Sequence, residues 1–197
     1  MADNLSIDRR TSALLVMDFQ TLIVDNHAAG AEALLDRTAK LIAAARMAGM
    51  RVIHVVVGFR PGYPEVSDRN ATFNGLKASS AFAAGAENTK IHPAVAPLAE
   101  EIVVTKHRVS AFAGTDLDLL LRANGIETLI LTGIITSGVV LSTLRHAADA
   151  DYRLLVVGDC CSDRDEEVHR VLLEKVFPRQ ATVTTVAGLA RAIEAGR

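Results

Sequence analysis

Three places in this 197-residue chain set a chemically capable group at the end of an apolar run. Asp18 closes ALLVMD, Lys106 follows EIVVT, and residues 129–143, LILTGIITSGVVLST, change at Gly133 from strand-like to helix-like. An aspartate at a buried strand end beside an ammonium feels two opposed effects: loss of water raises its pKa and the cation lowers it. Whichever prevails sets it up as general base or general acid; a purely structural ion pair is the alternative. The third stretch differs, because a strand running straight into a helix N-terminus gathers free N–H groups and a positive dipole end, which suit anions and oxyanions.

For these groups to meet, the intervening elements must return each strand end to the same edge. Residues 13–18 are the first strand, and residues 31–48 a helix with Leu34, Leu35, Leu41 and Ile42 on one side and Glu32, Arg37, Lys40 and Arg46 on the other. Gly49 stands where its C-terminal cap belongs. Strands at 51–57 and 101–105 follow, then a helix over 115–123 with Thr115 as its N-cap. The fourth strand and its helix reach about residue 150, and a fifth strand at 153–157 leads into the loop GDCCSDRDEE. A helix over 165–176, a short strand at 181–184 and a helix over 186–194 complete the alternation. Such β-α alternation implies right-handed crossovers and a mainly parallel sheet with helices on both faces, its strand ends opening on one crevice. Residues 58–97 keep no periodicity and read as a long excursion from the second strand, a wall or lid of the site.

Half the residues are hydrophobic but only 4% are aromatic, the composition of helices packed on aliphatic strands. The length suits one domain, residues 1–197. A net charge of −2 offers no electrostatic footprint for nucleic acid or an acidic membrane. No apolar segment reaches the roughly 18 residues that span a bilayer, and the N-terminus MADNLSIDRR has no apolar core, so a cytoplasmic protein is expected. Its partners are then small molecules and copies of itself. The only cysteines, Cys160 and Cys161, are adjacent and cannot close an ordinary disulfide across a loop.

Taken together, LLVMDFQ, TKHRVSAFAGTDLDLLL and LILTGIITSGVVLSTLRHAADADYRLLVVGD resemble the isochorismatase-like hydrolase superfamily, in order and spacing over nearly the whole chain. The resemblance implies a three-layer Rossmann-like α/β fold, with a six-stranded mainly parallel sheet ordered 3-2-1-4-5-6. It implies a site of Asp18, Lys106 and, in most members, a cysteine, which falls here at Val139. It further implies a cis peptide between Ile134 and Ile135, aiming the Ile135 and Val139 N–H groups at an oxyanion. Gln20 matches a polar contact to substrate or water, with a solvated loop side chain as the alternative. Relatives assemble as dimers or tetramers.

A valine is no nucleophile, so the thiolate route of the amidase members is closed. True isochorismatases also lack the cysteine; there the aspartate protonates a double bond and water adds to a vinyl ether, with a small residue at the position of Val139. Ser137 and Ser142 flank that position without a histidine nearby in sequence to act as base, and helix capping accounts for Thr136 and Ser137. Cys160 and Cys161 offer a displaced thiol or, alternatively, inert buried sulfur. Nicotinamidase relatives carry metal-binding Asp and His residues after the second strand. GFRPGYPEVSDRN has no such set and the histidines His54, His92, His107, His146 and His169 are scattered, so no metal and no cofactor is expected. Arg60, Tyr63, Arg69 and Asn70 there hold groups suited to a carboxylate, if they are not simply solvated.

The expected function is therefore hydrolysis of a small, carboxylated metabolite with Asp18 as acid/base and Lys106 as its electrostatic partner. The turn Ile134, Ile135, Thr136, Ser137 serves as substrate or oxyanion site. A retired member that binds a ligand or protein, and an amidase with a displaced nucleophile, are the alternatives.

Overall fold

The computed structural model describes residues 7–28 and 30–195; residues 1–6, on which much of the N-terminal reading rests, lie outside them. Its six strands form one sheet in the order β3-β2-β1-β4-β5-β6, every neighbouring pair parallel. This is the sheet order that the sequence motifs imply.

Strand β1 (Ser12–Met17) is buried along its whole length, which suits a central strand covered on both faces. Leu14 and Val16 enter one apolar layer, and Ala13, Leu15 and Met17 the other. Helix α1 (Thr21–His27) follows directly, a short helix that the sequence reading did not include. The first layer is closed by α2 (Ala31–Met47) through Leu34, Leu41 and Ile42. After β2 (Arg51–Val57), the long excursion is folded rather than irregular. It holds α3 (Ala71–Ala78), started by the Asn70 side chain accepting the Phe73 N–H at 3.2 Å. Phe59, Tyr63, Phe73 and Phe82 give it an apolar interior, so burial of aromatic rings, not helical periodicity, organises this segment.

Strand β3 (Ile102–Lys106) lies at the sheet edge, with Val103 44% exposed. Helix α4 (Leu117–Ala123) begins the second layer. Strand β4 (Thr128–Ile134) passes through a π-type turn, Thr136–Val140, into α5 (Leu141–Asp149).

Strand β5 departs from expectation: it runs Arg153–Ser162 and takes in residues that read as a loop. Leu131 pairs with Val156 but Gly133 pairs with Cys161, so a bulge in β5 advances its register. Residues 157–160 lie within that irregularity, Gly158 and Asp159 having the composition of a turn. A Cβ at Gly158 would sit 3.2 Å from Leu173, and the Asp159 carboxylate accepts the Val186 N–H at 3.0 Å. Helix α6 (Glu166–Val171) follows, its N-terminus capped by Asp165, which accepts from Glu167 and Val168 N–H; β6 (Thr182–Thr184) and α7 (Val186–Ala195) end the described chain. Among the described residues no helix is long and apolar enough to cross a membrane.

Candidate active site

Asp18 is the first residue beyond β1, and its backbone takes a left-handed conformation at φ 61° while its N–H donates to Val55 O at 2.8 Å. Among non-glycine residues, aspartate is one of those that tolerate this region, and such strain persists where the surroundings enforce it. Lys106, two strands away at the end of β3, reaches past β2 and places Nζ 2.9 Å from Asp18 Oδ2. Its ammonium also donates to Arg108 O at 3.2 Å. The pair is nearly dry, Asp18 being 5% and Lys106 3% exposed.

The two effects on Asp18 do not cancel. Burial pushes its carboxyl above the usual carboxylate range, and the Lys106 charge draws it only part of the way back. Oδ2 is occupied by Lys106, but Oδ1 is buried and has no hydrogen-bond partner among the described residues. Buried polar atoms are seldom left so. Oδ1 is therefore the atom at which a proton can be taken or given.

The turn after β4 lies beside Asp18 because Met17 pairs with Gly133. The Ile134–Ile135 peptide is cis. A side chain at Gly133 would come within 3.0 Å of Met17 O and 3.2 Å of Val139 Cγ1, so only glycine lets β1, β4 and the returning turn meet here. Val139 is 3% exposed and belongs to the apolar layer of Met17 and Leu131. The position at which the resemblance implies a thiol is thus filled by packed methyl groups.

Thr136 and Ser137 do not cap the helix with their side chains, which corrects the sequence reading. The cap comes from outside: Ser137 N–H donates to Asp163 Oδ2 at 2.7 Å, where a carboxylate complements the helix dipole. That N–H is accordingly unavailable to a substrate anion. The buried Thr136 hydroxyl instead pairs with His169 Nδ1 at 2.8 Å. Asp163 and His169 were missed because only the β5 bulge brings them here. Their one local signal is the acidic helix start in SDRDEE.

The remaining expected contacts are engaged elsewhere. Gln20 is neither solvated nor free for substrate, since its Nε2 donates to Val57 O (2.9 Å) and Thr89 O (2.6 Å) and its Oε1 accepts the Val57 N–H (2.8 Å). It pins the excursion to the end of β2. Gln20→Leu leaves three backbone groups without partners and is expected to lower stability by on the order of 3 kcal/mol in denaturant unfolding. Arg60 pairs with Glu65 at 2.6 Å, and the Tyr63 hydroxyl donates to Ala81 O at 2.8 Å. Arg60 and Gln20 face a cavity of about 590 Å³, shared with Phe82, Thr105 and His107, whose lining includes neither Asp18 nor Lys106. Arg108, unmarked in the sequence reading, donates to Glu65 O at 3.0 Å and lies over the Phe73 ring, fastening the excursion next to Lys106.

Neither cysteine is poised as a nucleophile. Cys160 and Cys161 are buried on opposite faces of the sheet, burial pushing the Cys160 thiol up to about 12 and the Cys161 thiol higher still.

Comparison with known proteins agrees with this fold. The chain is 34% identical to YecD, an uncharacterized isochorismatase family protein of Escherichia coli O157:H7, over 96% of this chain and all of that one. It is 31% identical to the maleamate amidohydrolase of Pseudomonas putida, over 89% of this chain and 84% of the relative. In fold it matches the crystal structure of a cysteine hydrolase from Pseudomonas syringae pv. phaseolicola with a TM-score of 0.89 at 23% identity, over 99% of both chains. The isochorismatase domain model matches residues 12–188, nearly the whole of the fold and a span that includes Asp18, Lys106 and Val139, and the chain belongs to the isochorismatase family of hydrolases.

Proposed function

We propose that this protein hydrolyses a small, carboxylated metabolite without a covalent enzyme intermediate, Asp18 carrying the proton. One observation bears most of the weight: the buried, unpartnered Asp18 Oδ1, in a carboxyl that burial makes more basic than usual. The similarity to a maleamate amidohydrolase supports an amide as substrate. In that reaction Oδ1 takes a proton from water as the oxygen bonds to the amide carbon. The tetrahedral oxyanion is met by the Ile135 and Val139 N–H groups, with Lys106 keeping the charge on Asp18 localised. The C–N bond then breaks as the proton passes from Asp18 to the leaving nitrogen. For a vinyl ether the order reverses, Asp18 first protonating the double bond and water adding afterwards.

Screening the purified protein on maleamate, ureides and isochorismate separates these chemistries, and the pH profile assigns the role of Asp18. A base must be ionised, so activity is lost as pH falls through the raised pKa; an acid must be protonated, so activity is lost as pH rises through it. Absence of turnover across the panel overturns the proposal and favours a retired, ligand-binding member, a reading that the apolar filling at Val139 supports.

Val139→Cys places a thiol in the nucleophile position. At a position only 3% exposed, it is expected to resist iodoacetamide in the native protein as the buried Cys160 and Cys161 do, as read by intact-mass measurement, and a single alkylation would show that the site opens to solvent.

A further inference from the structure

Two bonds enter the turn after β4 from a segment that the proposed reaction does not use. Asp163 Oδ2 holds the Ser137 N–H at 2.7 Å, and His169 Nδ1 holds the Thr136 hydroxyl at 2.8 Å. We propose that Asp163 and His169 form a brace that sets the orientation of the turn Thr136–Val140, which makes His169 a positioning residue of the hydrolase site. The inference rests on the functional reading above for its effect on turnover, and on geometry alone for its effect on the turn.

The turn needs such a brace. It is π-type, wider than an α-helical turn. Around it, Ile135 O accepts Gly138 N–H at 3.0 Å and Val140 N–H at a long 3.4 Å, and Leu141 N–H donates to Thr136 O and Gly138 O, so backbone bonds close its far end while its first residues look outward for partners. The first N–H groups of any helix have no partner within it. What aims the Ile135 and Val139 amides is then whatever holds Thr136 and Ser137, which lie between those two residues in the chain, and both are held by one segment. Ser162 pairs with Ile134, so the bulged β5 delivers Asp163 to the turn. Asp165 caps α6, and the next helical turn presents His169 to Thr136. Thr136 is fully buried, so its hydroxyl depends on this histidine. The ring itself is half-buried, which favours its neutral form, while Asp163 and Glu166 work against that tendency.

The test compares His169→Ala and Thr136→Val with their conservative partners, His169→Asn, which keeps a polar atom near the place of Nδ1, and Thr136→Ser, which keeps the hydroxyl. The first readout is hydrogen exchange of peptides covering residues 134–141, by mass spectrometry. The second is kcat and KM on the substrate that the panel returns. The disruptive pair is expected to speed exchange in 134–141 by about tenfold or more while the β1 and β2 peptides keep their protection. kcat should fall about ten- to a hundredfold with KM within about threefold, because a misplaced oxyanion site harms the transition state more than binding. The conservative pair should restore both readouts to within about threefold of the parent. Unchanged exchange in 134–141 overturns the brace, and so does faster exchange with unchanged kcat. If the parent turns over nothing, the functional reading fails while the exchange result still decides the brace. Should His169→Ala fail to fold, the nearly isosteric Thr136 pair carries the comparison.

Discussion

Asp18→Asn is expected to lower kcat/KM by about 10²–10⁴-fold on any substrate the parent protein hydrolyses, the range over which a positioned acid/base group contributes. The substitution is nearly isosteric, and its amide oxygen still accepts a hydrogen bond from the Lys106 ammonium 2.9 Å away. The left-handed backbone at φ 61° is also one that asparagine tolerates. The loss is therefore one of proton transfer at Oδ1, and circular dichroism should report an unchanged fold. An Asp18→Asn protein with full activity would remove the carboxylate from the mechanism altogether.

Lys106→Met is the second large effect, and it falls on stability as well as rate. Methionine matches the length of the lysine stem but leaves Asp18, 5% exposed, without a counter-ion. Breaking a buried pair from one side costs about 3–5 kcal/mol. The sign with pH follows from the direction of the shift. Burial already raises the Asp18 carboxyl above its unfolded value, and removing the cation that opposes this raises it further. A carboxyl with a raised folded pKa stabilises the fold below its unfolded pKa and loses that contribution as pH rises through the folded one. The deficit of Lys106→Met relative to the parent is thus expected to be largest at and above neutral pH and to shrink on acidification, as the carboxyl neutralises. Urea unfolding at pH 5 and pH 8 measures it. An equal deficit at both would show that the lost lysine stem, not the charge, accounts for the cost.

Some of this was legible from residue order alone. The apolar runs ending at Asp18 and Lys106 mark strand ends, and β-α alternation places such ends on one edge. The expected sheet order and the meeting of the two charges follow from that rule and from the motifs. Local patterns failed where a residue's role depended on a partner distant in sequence. The excursion lacks helical periodicity, yet Phe59, Tyr63 and Phe73 bury one another and hold it. Gln20, two residues from Asp18, read as a substrate contact and proved to bind the backbone of β2 and of residue 89.

The opposed effects on Asp18 show the division most clearly. Composition and position identify a carboxylate and an ammonium that meet in a crevice, because strand direction is encoded in short-range hydrophobic pattern. Which effect prevails depends on how much water the surrounding side chains exclude, and that is decided only when β1, β2 and β3 pack together. The stretch 129–143 divides in the same way. Its residue types determine a strand running into a helix, with a valine and no thiol at residue 139. The register slip of β5, set by packing of the bulge against Leu173 and the start of α7, decides that Asp163 and His169 hold the turn. A bond between Thr136 and His169, thirty-three residues apart, is a product of sheet register and has no local signature for a sequence to display.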